Sequence, residues 1–525
     1  MFVLVKEPWL LRRRFDLLPG VLPAVVARVP PVKPVAMNEA EAQMRLLASV
    51  SGLADRVPLV SARSLVTRRQ RNGLIGLVVI LVIGAVVNVR TTAIVLIGLA
   101  TLCYLVAVVY RAYLFTRSSK VDALEIVTDE EALLVPDSEL PSYTIMIPAY
   151  REASVINRLI GHLMQLDYPT DRLEVLILVE EDDEETLRAL RSASPPDHFR
   201  MVVIPPAEPR TKPKALNFGL TLARGDIVAV YDVEDAPDVL QLRRAAVALN
   251  RFGPEVGCVQ AKLSYNNATQ NMITKWFTIE YAMWFSFFLP GLSSLGAPIP
   301  LGGTSNHFRR VALRDLGGWD PFNVTEDCDL GIRMFREQYD IKVIESVTME
   351  EANIDFVNWV KQRSRWYKGY LQTFLIHLRA PVTLVKQVRI KGLLHLCAFV
   401  GGTPILAVLN PIFWAAAIVW FVAQPEILRQ IFPVPVYYLG LILWSFGNFL
   451  LWYLTVLTAR QVQKEGLVLA AVLVPVYWVM MSIAAVKAIW QLMVTPSFWE
   501  KTTHGIGKDP DDSGVEEVEV LHLAS

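Results

Sequence analysis

Two uncharged apolar runs near the start of the chain constrain its fold more than any other feature. Residues 73–89 and 92–110 carry no charged side chain, and each is long enough to approach or span a hydrocarbon core of about 30 Å. Because only Arg90 and Thr91 separate the runs, they predict a helical hairpin. Basic residues flank both of its ends, and the positive-inside bias therefore places both flanks in the cytoplasm. The flanking residues are Arg68, Arg69, Arg71, Arg111, Arg117 and Lys120.

Three further apolar blocks follow late in the chain, at residues 392–422, 436–458 and 467–494. The composition agrees with burial in lipid, because 53% of the residues are apolar and only 19% are charged. Five spans result if every block crosses once, and the C-terminal tail would then lie outside the cytoplasm. The Gly- and Pro-containing segments 401–404 and 410–411 could divide the first block and give a sixth span. We expect an integral, multi-pass protein of the plasma (inner) membrane, with the segment between the hairpin and the later blocks in the cytoplasm.

The middle of the chain, roughly residues 141–335, alternates β and α patterns instead. Strands separated by helices predict an α/β domain with a mostly parallel, Rossmann-like sheet. Ligands bind such sheets at the carboxyl ends of the strands, so chemistry is expected there. The strand candidates are SYTIMIPAY at 142–150, EVLILV at 174–179, RMVVIP at 200–205 and DIVAVYD at 226–232.

Charge and cysteine usage exclude several classes of protein. The formal net charge is +0 and no basic block stands on an aromatic-rich face, so we expect no nucleic-acid partner. The four cysteines are far apart and suggest neither a CxxC metal site nor a disulfide framework. Pro19, Pro23 and Arg28 interrupt the first apolar stretch, so we expect no cleaved signal peptide.

An acidic cluster, YDVEDAPD at 231–238, directly follows a predicted strand. Asp232 and Glu234 would project from the carboxyl end of this strand, and their oxygens suit Mg²⁺ or Mn²⁺. Acidic residues at such a place are also commonly the N-cap of the next helix, which fits Asp238. The residues alone leave both interpretations open.

A second acidic motif, VTEDCDLGIRM at 324–334, begins a predicted helix. Helix capping is the simpler interpretation of Glu326 and Asp327, because a helix N-terminus stabilises a carboxylate. A carboxylate in this place could also accept the proton of an acceptor hydroxyl as a bond forms.

A basic aromatic motif, QRSRW at 362–366, contains Gln362, Arg365 and Trp366. An amphipathic interfacial helix or cation-π packing would explain it without catalysis. Two more charged segments surround the predicted sheet edge. The acidic run 179–186 could be a solvated helix start or could bind a base such as uracil, and Lys212 and Lys214 could bind a diphosphate or be surface charge.

Taken together and in order, six segments resemble glycosyltransferase family 2. They are PAY (148–150), VEED (179–182), KALN (214–217), DVED (232–235), TED (325–327) and QRSRW (362–366). More narrowly, they resemble the membrane-integrated synthases of that family, the group that contains cellulose, chitin and hyaluronan synthases. The resemblance covers about residues 141–370 and implies a GT-A fold, a divalent cation, inversion at the anomeric carbon and, in most members, a UDP-sugar donor.

The resemblance also implies roles for individual residues on the donor side. Pro148, Ala149 and Tyr150 match the loop that meets the nucleotide base, with Glu152 close behind, and Glu180 and Asp182 stand where an Asp pair usually recognises uracil. Lys214 matches a lysine near the diphosphate. Asp232 and Glu234 match the D-x-D metal motif, in which Glu replaces the second Asp, so that Asp235 could take part of the role.

On the acceptor side, the resemblance makes Asp327 the catalytic base, with Glu326 beside it. Gln362, Arg365 and Trp366 match the Q-x-x-R-W motif next to the donor diphosphate and the acceptor channel. Trp319 resembles a residue next to the acceptor. Residues 498–505 resemble a C-terminal segment that closes over the active site.

Six regions follow from these assignments. They are an N-terminal cytoplasmic region (1–72), a transmembrane hairpin (73–114), a GT-A catalytic domain (115–370), an interfacial helix (371–391), C-terminal transmembrane helices (392–495) and a tail (496–525).

The predicted function is inverting transfer of a hexose or N-acetylhexosamine from a nucleotide-diphosphate sugar, typically a UDP-sugar, to a growing β-linked polysaccharide. A glycolipid synthase that adds one sugar to a membrane lipid is the alternative, and an inactive nucleotide-sugar-binding scaffold is the alternative of another class. The expected partners are the donor, a glycan or lipid acceptor, membrane lipid, and accessory export or regulatory subunits.

Overall fold

A single eight-stranded sheet forms the centre of the molecule. The structure is a computed structural model that describes residues 35–118, 124–496, 498 and 500. The strand order is β3-β2-β1-β4-β7-β6-β8-β5. The strands are β1 (Tyr143–Ala149), β2 (Leu173–Glu180), β3 (Phe199–Ile204), β4 (Ile227–Val230), β5 (Ala236–Pro237), β6 (Val256–Tyr265), β7 (Asn306–Arg309) and β8 (Asp340–Glu350).

Helices cover both faces of this sheet and continue beyond it. Those of the first half of the chain are α1 (Glu39–Arg56), α2 (Arg68–Ser118), α3 (Asp129–Leu134), α4 (Ile156–Leu163), α5 (Glu184–Ala193), α6 (Lys212–Leu222) and α7 (Gln241–Phe252). Those of the second half are α8 (Met272–Met283), α9 (Leu289–Ser294), α10 (Arg310–Leu316), α11 (Glu326–Arg336), α12 (Phe356–His377), α13 (Pro381–Leu396), α14 (Gly402–Ala423), α15 (Glu426–Ile431), α16 (Val434–Ile442), α17 (Asn448–Val462), α18 (Leu467–Val472) and α19 (Val474–Val494).

Most strands of the sheet run in one direction. β1 pairs in parallel with β2 and β4, β2 with β3, and β6 with β8, whereas β7 runs antiparallel to both β4 and β6. The carboxyl ends of β1, β2, β4, β6 and β8 therefore meet at one edge. The predicted mostly parallel α/β fold is confirmed, and all four predicted strands are present as β1 to β4. The later strands β6, β7 and β8 had not been predicted.

Among the described residues, four helical segments are long and apolar enough to cross a membrane: Arg68–Ser118, Pro381–Ala423, Val434–Val462 and Val474–Val494. The first of them turns sharply at Asn88, whose φ of −157° and ψ of 92° leave the helical region. A Cβ on Gly84 would lie only 2.9 Å from Thr92 Oγ1, although eight residues of continuous helix would separate them by about 12 Å. The chain therefore folds back at Asn88, and the two halves of α2 form a helical hairpin.

Both ends of this hairpin contact the part of the fold that contains the sheet and α12. Gln70 Nε2 donates to the Leu375 carbonyl at 2.7 Å, and Phe115 stacks on Phe287 with ring centroids 4.1 Å apart. Arg90, next to the turn, instead donates to the Gln430 carbonyl at 3.1 Å, far from the sheet in sequence and in structure.

The apolar block at 392–422 is not divided where its sequence suggested. The helix runs through a π-type turn at Cys397–Gly401 and continues in α14 to Ala423, with Pro411 inside it. The break lies earlier, at Arg389, whose φ is +58°. Of the two alternatives, a divided and an undivided block, the structure has the undivided helix. The π turn accommodates the glycine pair, and one proline removes only one hydrogen bond from a long apolar helix.

The end of the described chain returns to the sheet domain. Near the start of α19, Tyr477 OH donates to Glu280 at 2.6 Å, and beyond its end Lys368 Nζ donates to the Phe498 carbonyl at 2.5 Å. α19 therefore packs lengthwise along α12. The chain at Phe498 thus contacts the helix that carries QRSRW, and the five-span count with an outside tail stays a prediction. Residues 501–525, with most of the predicted closing segment 498–505, lie outside the described residues.

The N-terminal region docks on the back of the catalytic domain. Asn38 caps α1 by accepting a hydrogen bond from Glu41 N at 2.8 Å, and this helix packs against α6. Arg45 donates to the Thr221 carbonyl at 2.8 Å and Asn217 donates to the Ser49 carbonyl at 3.1 Å. Residues 1–34 lie outside the described part of the chain.

Candidate active site

A cavity of about 590 Å³ opens at the carboxyl edge of the sheet and continues between the apolar helices. Most of the predicted site residues line it, although they come from five separate segments of the chain. They are Pro148, Ala149, Tyr150, Glu152, Glu180, Asp232, Glu234, Glu326, Asp327, Gln362, Arg365 and Trp366. Asp182, Lys214 and Trp319 are not among the residues that line it.

Buried hydrogen bonds hold the loop after β1 at the far end of the cavity. Arg151 has a φ of +58°, a left-handed conformation that is strained for a residue with a side chain. The buried Asp183 carboxylate accepts hydrogen bonds from Arg151 N and, at 3.2 Å, from Thr186 N at the start of α5. The simple interpretation of the acidic run 179–186 as a helix start therefore holds for Asp183. Asp182 pairs with Arg210 beside it.

The two lysines of the segment 209–220 have opposite surroundings. Lys212 lines the cavity, where its Nζ binds the Asp232 carboxylate and donates to the Gly303 carbonyl at 2.8 Å. Burial disfavours its charged form, but Asp232 and nearby carboxylates outweigh that effect and raise the pKa of Lys212. Lys214 is fully buried and pairs with Glu180 at 2.8 Å. The structure therefore brings Lys212, and not the predicted Lys214, to the predicted metal residue.

Hydrogen bonds to the buried side chain of Asp235 fix the acidic turn that follows β4. Asp235 is fully buried, and its Oδ2 accepts hydrogen bonds from Asp232 N at 2.7 Å and from the Thr304 hydroxyl. Its Oδ1 has no hydrogen-bond partner within the described chain. Burial, followed by the charges of Asp232 and Glu234, raises the pKa of Asp235 well above its ordinary value. Asp235 thus orients Asp232 and does not itself line the cavity.

Glu350, at the carboxyl end of β8, adds a carboxylate that the sequence had not pointed to. It lines the same cavity, and burial together with Asp235, Asp232 and Glu234 raises its pKa well above the ordinary value. The crowding of carboxylates at this edge is the condition in which a bound cation is most favourable. Within the described residues, however, no three acidic, histidine or cysteine side chains are grouped closely enough to hold a metal ion by themselves.

Asp327 faces this acidic edge from the first turn of α11. Its Oδ1 accepts a hydrogen bond from Cys328 N at 2.7 Å, and its Oδ2 lies 3.3 Å from the point where a Cβ on Gly303 would stand. Lys212 Nζ lies 3.9 Å from that same point. Burial raises the pKa of Asp327, and burial with the neighbouring Asp327 charge raises the pKa of Glu326. Gly303 thus leaves room for the two side chains to approach each other.

The loop before Asp327 is fixed by close packing against α12. A Cβ on Gly369 would overlap the side chain of Thr325, so only glycine allows this approach. Asn323 donates to Thr373 at 2.9 Å, and Val324 N donates to Gln372 at 3.2 Å. The helix that carries QRSRW therefore sets the position of the TED motif.

The two arginines of QRSRW have different roles in the structure. Arg363 forms a two-point pair with Glu280, at 2.8 Å for one of the two contacts, and its guanidinium lies 4.6 Å from the centre of the Trp366 ring. The cation-π interpretation of the motif is therefore right for Arg363. Arg365 instead lines the cavity, where Glu326, Asp232 and Asp327 act on it and burial lowers its pKa.

Trp319 lies in the core and not in the cavity, which corrects its predicted place beside the acceptor. Only 2% of its surface is exposed, and it packs edge-on against Phe308 at a centroid distance of 5.7 Å. Asn217, from the KALN segment, accepts a hydrogen bond from Trp319 N at 2.9 Å and donates to its carbonyl at 2.8 Å. A tryptophan near an acidic motif fits a buried anchor as well as a ligand contact, and sequence cannot separate the two.

Three cavity features were missed by the sequence-based prediction. Gly302 and Gly303 form a close-approach loop, and the pair of glycines before β7 was an available signal. Glu350 ends a strand, so the strand-end rule would have found it had β8 been predicted. Glu280, which holds Arg363, lies in an aromatic helix with no motif around it and offered no signal.

The fold and the cavity together define an α/β protein with an acidic, ligand-binding edge and attached apolar helices. Residues 141–369 match the family model described as "Glycosyltransferase like family 2". This part of the chain is therefore a glycosyltransferase family 2 domain.

Named relatives are similar to about half of this chain. The probable glycosyltransferase YdaM of Bacillus subtilis is 29% identical over 234 residues, which are 44% of this chain and 56% of that protein. A β-monoglucosyldiacylglycerol synthase of Synechocystis sp. is 30% identical over 291 residues, 53% of this chain and 60% of that protein. The probable glucomannan 4-β-mannosyltransferase 14 of Arabidopsis thaliana is 26% identical over 284 residues, 52% and 53% of the two chains. The chain thus spans somewhat more than half the length of these relatives.

A solved structure has a similar arrangement. The mannosyltransferase PcManGT from Pyrobaculum calidifontis, in complex with GDP-Man and Mn²⁺, aligns with a TM-score of 0.49 at 19% identity, over 76% of this chain and 99% of that chain.

Proposed function

We propose that this chain is an inverting membrane glycosyltransferase that transfers a hexose or N-acetylhexosamine from a nucleotide-diphosphate sugar to a β-linked glycan. One observation carries the proposal: Asp232 and Asp327, 95 residues apart, face one cavity on either side of Lys212. A donor diphosphate and a proton acceptor can therefore be held next to each other. UDP-sugars are the donor class expected from the resemblance to the family.

The nucleotide end of the cavity supports a donor of this kind. Pro148, Ala149 and Tyr150 form a wall opposite Glu180 at the ends of β1 and β2, where nucleotides bind α/β sheets. Lys212 and Arg365 then supply positive charge between this wall and Asp327. Guanidinium and ammonium groups are the side chains best suited to a diphosphate.

A divalent cation fits the acidic edge. Asp232 and Glu234 offer carboxylate oxygens, and Asp235 leaves one buried oxygen without a partner in the described residues. Mg²⁺ typically uses one or two protein carboxylates and takes its other ligands from phosphates and water, so Asp232 and Glu234 would be enough to hold it. When bound, Mg²⁺ or Mn²⁺ would neutralise the charge that develops on the leaving diphosphate.

The transfer step follows from these positions. The acceptor hydroxyl oxygen attacks the anomeric carbon while the bond from that carbon to the diphosphate oxygen breaks, and Asp327 takes the hydroxyl proton. The diphosphate leaves with the bonding electron pair toward Lys212 and Arg365. A single displacement inverts the anomeric configuration. The raised pKa of Asp327 makes its carboxylate a stronger base than an exposed aspartate.

The acceptor is proposed to enter from the membrane side. Aromatic side chains that can stack on sugar rings line the cavity from Trp366 through Trp284 to Trp478 between the apolar helices. This supports a glycan acceptor and a growing polysaccharide, synthesised at the cytoplasmic face of the plasma (inner) membrane. Accessory export or regulatory subunits remain part of the proposal.

A glycolipid synthase is the second candidate. The deeper cavity wall contains apolar side chains such as Leu406, Leu451 and Met481, which suit a lipid chain. The relative from Synechocystis sp. bears the name of a lipid glucosyltransferase, and the relative from Arabidopsis thaliana that of a polysaccharide synthase. Sequence similarity therefore supports both acceptors.

Product size decides between the candidates. The full chain in lipid nanodiscs is incubated with radiolabelled UDP-glucose, UDP-N-acetylglucosamine, UDP-galactose or GDP-mannose, with and without Mg²⁺ or Mn²⁺. We expect label in a polymer that a β-glycosidase degrades. If the label appears in a lipid that carries one sugar, the protein is a glycolipid synthase and not a polysaccharide synthase. If no donor and metal combination gives transfer, both candidates are contradicted.

A further inference from the structure

Arg111 is a charged residue for which the proposed transfer step has no use. It follows the apolar run 92–110 in α2 and lines the same cavity as the catalytic carboxylates. The next turn of α2 packs against the domain, since a Cβ on Gly291 would lie 2.6 Å from the Leu114 carbonyl. Arg111 therefore lies where the cavity passes from the domain into the apolar helices.

The nearest acidic group is already engaged by another cation. Glu280 acts electrostatically on Arg111, but its two carboxylate oxygens are bound by Arg363, and Tyr477 donates to it at 2.6 Å. Glu280 and Arg363 cancel each other, so the three groups together carry one net positive charge. Among the described residues, Arg111 has no ion pair and no side-chain hydrogen bond.

Arg111 also lies apart from the donor site. The groups that act on it are Glu280, Tyr104 and Tyr367, whereas Arg365 is the arginine acted on by Glu326, Asp232 and Asp327. The diphosphate region thus has its own cations in Lys212 and Arg365. Arg111 belongs to the membrane-side part of the cavity.

The surroundings of Arg111 favour an anion over a neutral sugar. Two neighbouring polar side chains already have partners: Tyr104 donates to Asn448 at 2.7 Å and Thr403 donates to the Phe399 carbonyl at 2.7 Å. An uncompensated guanidinium beside apolar walls is costly, and a phosphate that binds its planar fork at two points removes that cost. The apolar walls beyond, formed by Leu406 and Leu451 among others, suit the chain of a lipid.

We propose that Arg111 binds the phosphate of an anionic membrane lipid that enters the cavity as acceptor or primer. This inference rests on the proposed glycosyl transfer for its purpose, but not on whether the product is a polymer or a single-sugar lipid. The site is a phosphate site at the membrane boundary, separate from the diphosphate site at the sheet edge.

Lipid binding by the full chain tests the proposal. The protein is kept in an uncharged maltoside detergent, which contains no phosphate, and is titrated with phosphatidylglycerol or with diacylglycerol of the same acyl chains. Retained lipid is counted by native mass spectrometry. We expect Arg111→Gln to weaken phosphatidylglycerol binding roughly ten-fold or more, as loss of a charge-assisted hydrogen bond does, and to leave diacylglycerol binding unchanged.

Matched variants make the outcome specific. Arg71→Gln removes an exposed arginine at the other end of the same hairpin and should bind phosphatidylglycerol as the unaltered protein does. UDP affinity should be unchanged in Arg111→Gln, which also shows that this variant is folded. Equal phosphatidylglycerol binding by Arg111→Gln and the unaltered protein would overturn the proposal. If Arg111→Gln loses UDP affinity but keeps its phosphatidylglycerol binding, the proposal is also overturned, because Arg111 would then bind the donor.

The test also separates this inference from the proposed function. Asp327→Asn should retain phosphatidylglycerol binding while losing sugar transfer. If the unaltered protein binds the lipid through Arg111 but transfers no sugar, the proposed function fails and the phosphate site stands.

Discussion

The two halves of the cavity are built from polar groups in different ways. At the sheet edge, charges compensate one another across long sequence distances, as Lys212 does for Asp232 and Arg363 does for Glu280. Between the apolar helices, hydroxyl groups such as Thr403 and Thr455 bond to carbonyls of their own helix one turn back. The first half therefore depends on ion pairs between distant segments, whereas these two hydroxyls of the second half are satisfied within their own helices. The difference indicates that chemistry belongs to the first half and passage or anchoring of the acceptor to the second.

The largest expected effect is that of Asp327→Asn. Removal of the proposed base should lower kcat by roughly 10²- to 10⁴-fold, because a positioned general base contributes about that much. The measurement is sugar transfer alongside UDP affinity, which should stay unchanged. Full transfer activity in Asp327→Asn would favour the inactive-scaffold alternative, in which no proton is taken.

Substitutions of Lys212 and Lys214 test which of these two lysines acts on the donor at the sheet edge. Lys212→Met should lower kcat/KM by roughly 10²-fold with little change in stability, because it removes charge next to the leaving diphosphate. Lys214→Met should instead destabilise the fold by about 3–5 kcal/mol, since it leaves the buried Glu180 without its cation. Transfer rates and thermal unfolding distinguish the two. If Lys214→Met lowers transfer and Lys212→Met lowers stability, Lys214 is the lysine that contacts the donor, as the sequence predicted.

A pH-dependent effect is expected at the contact between the N-terminal region and the domain. Burial, with Asp329 nearby, raises the pKa of Asp320 from 3.8 to about 6, and the carboxyl accepts hydrogen bonds from Ser61 and Ala62. The folded state then holds this proton more tightly than the unfolded state does. Its stability should fall by about 3 kcal/mol as pH rises from about 4 to about 6, and then level off.

Asp320→Asn is the variant that isolates this contribution. The difference in Tm between the unaltered protein and the variant should change across that pH window and be constant above it. A difference that does not vary with pH would mean that Asp320 titrates normally.

A smaller effect is expected at the contact between α12 and the TED loop. Gly369→Ala should cost about 1–3 kcal/mol of stability and lower the transfer rate, because the added methyl group overlaps Thr325 and displaces the loop before Asp327. A second change, Thr325→Ala, removes the overlapping atoms and should restore part of both losses. Thr325→Ala alone is the control, since its hydroxyl has no hydrogen-bond partner in the described chain.

The smallest effects are expected in the membrane-side half. Thr403→Ala and Thr455→Ala remove hydroxyls that serve only their own helices, so stability should change by less than about 0.5 kcal/mol and transfer by less than about two-fold. A large loss of transfer in either variant would show that these hydroxyls contact the acceptor. The two halves of the cavity would then be more alike than the structure indicates.

The sequence predicted strands β1 to β4 and most of the residues that line the cavity, because strand ends can be recognised from residues that are close in sequence. Asp232, Glu180 and Tyr150 follow apolar runs that read directly as strands, and parallel strands bring their carboxyl ends together. Glu350 was missed because β8 was missed, and that strand pairs with β6 and not with the predicted strands. The break at Arg389 was missed because glycine and proline nearby were stronger local signals than an arginine.

The sequence by itself determined the α/β class, the apolar helices and the acidic edge, since apolar periodicity and the acidic residues at strand ends depend only on residues that are close in sequence. Only the tertiary structure decided which side chains face the cavity. Lys212 and Lys214 are two residues apart on α6 and so point about 160° apart, and the packing of that helix on the sheet determines which one meets Asp232. Trp319 reaches the core for the same reason, because Asn217 on α6 holds its backbone there.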